Sequence, residues 1–130
     1  MNLIEFKNKV IERGIAAAKA DYTKPEDKNR LEGSLAGFEL CRETPLEKLQ
    51  QLLIEARKES NTHMFEQDLE RYWHCRSKEA EIEWVCNCVS VVLANEGREP
   101  IIPCTCNAVL LANEIISEEN KTNLIRKGIE

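Results

Sequence analysis

Residues 83–106 read EWVCNCVSVVLANEGREPIIPCTC and hold four of the six cysteines as two C-x-C pairs, Cys86/Cys88 and Cys104/Cys106. Paired thiolates are the raw material of a zinc clamp. A structural zinc site sets four donors about 2.3 Å from the metal at tetrahedral corners, with the sulfurs about 4 Å from one another. On a helix, residues i and i+2 point about 200° apart, so Cys86 and Cys88 share an ion only if the helix is broken between them. The extra residue of a C-x-x-C knuckle, which lets both sulfurs turn inward, is missing. Val85, Val89, Val91 and Val92 instead provide surroundings in which cysteine behaves as a small apolar side chain. The pattern predicts idle core thiols, with zinc held by Cys86, Cys88, Cys104 and Cys106 as the lesser alternative. Redox chemistry needs an accessible thiol of depressed pKa. Cys106 suits it best, in the first turn after Thr105, although an ordinary capped helix start explains that position as well.

Two further groupings carry chemistry-bearing side chains. His63, Glu66, Glu70 and His74 recur at spacings of three and four, which lines them along one helix face. A di-metal carboxylate bundle draws an E-x-x-H pair from each of two helices, and no E-x-x-H occurs here. The reading is a solvated face. Arg76, Glu83 and Asn87 fall instead among apolar neighbours, on the side that carries Tyr72, Trp73 and Ala80. A charge there must be paired or sit at a cleft or interface, because an unpaired buried charge is very costly. These three are the candidate pocket or interface residues, with Arg76 and Glu83 expected to find partners on other helices. No catalytic motif is present: there is no G-x-S-x-G, phosphate-binding glycine loop or H-E-x-x-H, and no cofactor is expected.

The elements that would position these residues read as helices. In the first, Leu3, Phe6, Val10, Ile11, Gly14, Ala17 and Ala18 form one narrow apolar stripe. Thr23 with Glu26, and Pro25 in the first turn, predicts a capping box opening a helix over residues 24–42. Thr44-Pro45-Leu46-Glu47 repeats the signal for a third helix with Leu46, Leu49, Leu52, Leu53 and Ala56 on one side. The short connection predicts an antiparallel hairpin. Gly33 and Gly37, four apart, predict close backbone approach by a neighbouring helix. After the polar KESNT, a long helix is expected over about residues 62–96, with Gly97 as its C-cap. Phe65, Leu69, Tyr72, Trp73 and Ala80 share one side of it. From Trp84 to Leu93 the apolar residues surround the axis, which predicts enclosure on every side. VCNCVSVVL is β-branched enough to be a strand in isolation, but its continuity with SKEAEIEW favours helix. Ile101 and Ile102 are expected to anchor the proline-containing linker in the core. Thr105 would cap a short apolar helix to residue 116, and Ser117 would start a polar one.

Together these features predict a single all-α domain over residues 1–130, a bundle of five or six helices around a long central one. A net charge of −5, with basic and acidic residues interspersed, argues against nucleic-acid binding. There is no apolar run of membrane-spanning length and no secretory leader, so a cytoplasmic protein with reduced thiols is expected. All-round apolarity in so short a chain suggests a homo-oligomer, with a dimer favoured. The leading functional expectation is a non-catalytic interaction or assembly protein that self-associates. A small-molecule-binding or enzymatic bundle using Arg76 and Glu83 comes second, and the zinc protein third.

Overall fold

The computed structural model describes residues 2–65, 69–102 and 110–118, with the side chain of Phe65 left out. The described residues are helical, without strands: α1 (Leu3–Asp21), α2 (Lys28–Glu43), α3 (Leu49–Phe65), α4 (Leu69–Asn95) and α5 (residues 110–118). Short 3-10 turns, Pro25–Asp27 and Leu46–Lys48, lead into α2 and α3. The bundle and its long central helix are as the sequence implies. VCNCVSVVL lies wholly within α4.

Glycine positions decide how α4 is held. A Cβ on Gly33 would collide with the carbonyl oxygen of His74, and one on Gly37 would stand 2.8 Å from the carbonyl oxygen of Lys78. The spacing of four puts both glycines on one face of α2, so α2 and α4 meet backbone to backbone, running parallel. Gly14 of α1 is likewise filled, by the Phe38 ring, which meets Trp84 edge-on with centroids 6.0 Å apart. On the opposite side α3 runs antiparallel to α4, pairing Leu49 with Cys86 and Glu59 with Cys75. The predicted hairpin is corrected here: α2 and α3 have opposite directions but barely touch, because α4 lies between them.

The helix expected over residues 62–96 is in fact two. His63 belongs to α3, and α4 begins at Leu69; Glu66 lies outside the described residues. The face shared by Leu69, Tyr72, Trp73 and Ala80 consequently does not point into the core. Leu69 is 69% and Trp73 41% exposed. Burial belongs to Cys75, Glu79, Ile82 and then every residue from Val85 to Val91. The enclosed stretch is covered within one chain, by α1, α2, α3 and Ala112 and Ile115 of α5. Each fully buried Ile, Leu, Val or Phe of that core contributes about 1.5–3 kcal/mol of transfer free energy.

Helix ends also depart from expectation. Neither predicted capping box forms: the residues before the two 3-10 turns, Lys24 and Pro45, make no side-chain cap bond. The Thr44 hydroxyl instead donates backwards to the Leu40 carbonyl at 2.6 Å, closing α2. Lys7 is buried, and its ammonium donates to the carbonyls of Thr44 at 2.8 Å and Arg42 at 3.5 Å. A cation at a helix C-terminus meets the negative end of the dipole. Gly97 does cap α4 as expected: with φ +74, it lets Arg98 N–H reach the Leu93 carbonyl at 2.8 Å and its own N–H reach that of Ala94. Ile101 and Ile102 pack on the core, and both backbone amides donate to the buried Ser90 hydroxyl, at 2.9 and 3.2 Å. α5 runs through Ser117 instead of ending before it, and Arg13 of α1 grips it through Glu114 and Glu118.

In an open helix, glycine to alanine raises helix propensity by about 1 kcal/mol. At Gly33 the sign should reverse: Gly33→Ala is expected to destabilise by about 3 kcal/mol through overpacking. Gly97→Ala, with open space around it but a left-handed backbone, should cost about 1 kcal/mol. Urea denaturation of both variants checks the ranking.

Candidate functional site

The antiparallel seam between α3 and α4 gathers most of the polar chemistry that the fold brings together. The helical repeat places Arg57, Ser60 and Asn61 of α3 opposite Tyr72, Arg76 and Glu79 of α4. These six line a polar cleft of about 330 Å³. At its floor is Glu79, whose side chain is only 8% exposed. Arg76 binds one carboxylate oxygen at 2.7 Å, and Arg57 reaches the other at 3.5 Å. Arg57 also stands 3.5 Å from a carboxylate oxygen of Glu83. The four charges cancel, as a partly desolvated ionic group requires. Ser60 is buried beside them, with its hydroxyl unpartnered within the described residues.

The three residues singled out from the sequence fare differently. Glu83 finds its expected partner on another helix, Arg57. Arg76 pairs within its own helix, with Glu79 three residues on. Asn87 is buried, and its side-chain oxygen has no partner among the described residues. Arg57 and Glu79 went unread. Glu79 stands one turn from both Cys75 and Glu83, on the stripe that ends in Ile82 and Cys86, and that position was the available signal.

The opposite side of α4 carries a different carboxylate. Glu81, with Trp84, lines a recess of about 250 Å³ against Gly14, Ala18 and Tyr22. No cation pairs with it among the described residues, and burial pushes its carboxyl up to about 7. A carboxyl poised near neutrality in a recess is the kind of group that binding and catalytic sites use. Sequence spacing alone did not reveal it.

Cys86 and Cys88 are buried, as their valine-rich setting predicts. Cys41, Cys75, Cys86 and Cys88 are free and buried. Burial pushes the Cys41, Cys86 and Cys88 thiols up to about 12, away from the reactive thiolate. Cys86 faces the Leu49 carbonyl of α3 at 3.8 Å. Cys104, Thr105 and Cys106, the other half of the zinc alternative, lie outside the described residues. His63, Glu70 and His74 do not form one face: His63 is on α3, whereas Glu70 and His74 meet Asn29 and Arg71 at the α2 side of α4.

The chain matches no protein-family pattern, and no curated protein or solved structure is significantly similar to it. No helix among the described residues is long and apolar enough to cross a membrane.

Two stability measurements test this geometry. Arg57→Ala and Arg76→Ala should each cost about 0.5 kcal/mol, since each arginine is nearly half exposed and the other still serves Glu79. The double variant, which strands a buried carboxylate, should cost at least about 3 kcal/mol, well above the sum. For Glu81, a folded-state value raised from 4.5 to about 7 means that the folded protein keeps a proton the unfolded chain releases. Its contribution is therefore present below about pH 4.5 and lost as pH rises through 7. Glu81→Gln should accordingly melt higher than the parent at pH 8, with the difference vanishing near pH 4.5.

Proposed function

We propose that this protein is a non-catalytic interaction and assembly module that self-associates, through the exposed first turns of α4. The observation that carries the reading is an apolar stripe at helical spacing that faces solvent instead of core. Leu69 and Trp73, one turn apart, are 69% and 41% exposed, with Ala80 further along the same face. Trp73 is held in place: the Arg30 guanidinium lies 4.5 Å from its ring centre, and Tyr72 packs beside it at 5.3 Å. Tryptophan, tyrosine and arginine are the residue types that dominate binding energy at protein interfaces. A pre-ordered aromatic also loses little conformational entropy on docking. Two copies joined about a two-fold axis would cover the stripe of each with that of the other.

Net acidity supports a protein partner over nucleic acid, and the four unpaired cysteines among the described residues support a reducing, cytoplasmic setting. One observation favours a second reading, small-molecule binding: the Glu81 carboxyl in the Trp84 and Tyr22 recess.

Sedimentation equilibrium of the full chain at micromolar concentration decides the first reading. The parent should run as a dimer, and Trp73→Glu combined with Leu69→Glu should run as a folded monomer. A monomeric parent, or a dimer unaffected by both substitutions, would retire it.

A further inference from the structure

On the same seam, alongside the arginine cleft, three different metal-ligating side chains converge. Glu59 and His63 stand four residues apart on α3, so both project from one face, a turn from each other. The antiparallel packing of α4 brings Cys75 opposite them. One ligand atom from each of Glu59, His63 and Cys75 lies within 4.8 Å of the other two, and Cys75 Sγ is 3.3 Å from Glu59 Oε1. The donor atoms of a tetrahedral zinc-type site stand about 3.3–3.8 Å apart, so side-chain adjustments of about an ångström complete the geometry.

We propose that Glu59, His63 and Cys75 form a binding site for one borderline divalent transition-metal ion of the zinc or cobalt kind. A sulfur, an imidazole nitrogen and a carboxylate oxygen together suit such ions, whereas magnesium and calcium take oxygen donors. The other oxygen of Glu59 is already held, by Lys78 Nζ at 2.7 Å. That contact fixes the carboxylate and leaves Oε1 turned toward the sulfur, the role that outer partners play around metal ligands. Cys75 is buried, while Glu59 is open to solvent and His63 only partly covered, which gives an ion a path in from one side. Three protein ligands leave the fourth position to water.

Binding is a simple exchange. The Sγ–H bond of Cys75 breaks, the Sγ–metal bond forms, and one proton leaves to solvent; no electron is transferred. Burial, followed by the hydrogen bond to Glu59, pushes this thiol up to about 11. The ion must therefore displace a proton across the whole neutral range, and the complex strengthens as pH rises.

Titration of the reduced, metal-free full chain with cobalt(II) alone tests the assignment, because thiolate ligation gives a sulfur-to-cobalt charge-transfer band. The band should saturate at about one ion per chain, with about one proton released per ion. It should disappear in Cys75→Ser, and the affinity should fall at least about tenfold in His63→Gln, as loss of a ligand demands. The Cys104→Ser/Cys106→Ser double variant should keep both band and affinity. Absence of the band from the parent, its persistence in Cys75→Ser, or its loss in the double variant overturns the proposal. If Cys75→Ser fails to fold, His63→Gln decides alone, and unchanged affinity there also overturns it.

Discussion

The contact between α2 and α4 allots every other surface of the central helix. Gly33 and Gly37 let the carbonyls of His74 and Lys78 come against bare backbone, which leaves no space for a side chain between the two helices. Once α2 is pressed there, the helical repeat turns Cys75, Glu79, Glu83 and Cys86 toward α3. It turns Glu81 and Trp84 toward the groove with α1. The remaining face, with Leu69, Trp73 and Ala80, is left to solvent along the first half of α4. The seam chemistry and the exposed stripe thus share one origin, the absence of two methyl groups on α2.

Much of this arrangement is legible in the sequence. Apolar residues on all sides of the axis from Trp84 to Leu93 call for enclosure, and every residue from Val85 to Val91 is buried, with Trp84 and Val92 partly covered. The four-residue spacing of Gly33 and Gly37 announces a close neighbour, although not which one. Gly97 stops α4 because only glycine takes that left-handed turn without strain. What misleads is the stretch from His63 to Leu69. No glycine or proline interrupts it, and residues on both sides favour helix, so its periodicity reads as one continuous rod. The division into α3 and α4 follows from tertiary packing, which overrides local propensity. Reading one rod placed His63 with Glu70 and His74, and so hid the cluster that His63 makes with Glu59 and Cys75 across the seam.

The charged residues that went unread share a cause. Lys7 and Glu79 each occupy a core-facing position of an amphipathic helix, where a sequence pattern expects an apolar side chain. Each is tolerated because another part of the chain supplies its counterpart: two carbonyls at the end of α2 for Lys7, and Arg57 with Arg76 for Glu79. Such partners are far apart in sequence, and no local spacing encodes them. Thr44 illustrates the same point at a helix end. Its hydroxyl had two possible uses, and the preceding helix took it.

The parallel alignment of α2 and α4 also governs the order in which the chain can organise itself. Two parallel helices cannot be joined by a tight turn, so the chain between them must first go out and come back as α3. The backbone contact of Gly33 against His74 therefore waits for the whole excursion to be synthesised and closed, and closing a longer loop costs more entropy. Helices α1 and α2, neighbours in sequence, can dock as soon as Thr44 is available to Lys7. Until α4 arrives, the glycine face of that early pair stays bare, and an assembling chain is most vulnerable to wrong partners during that interval.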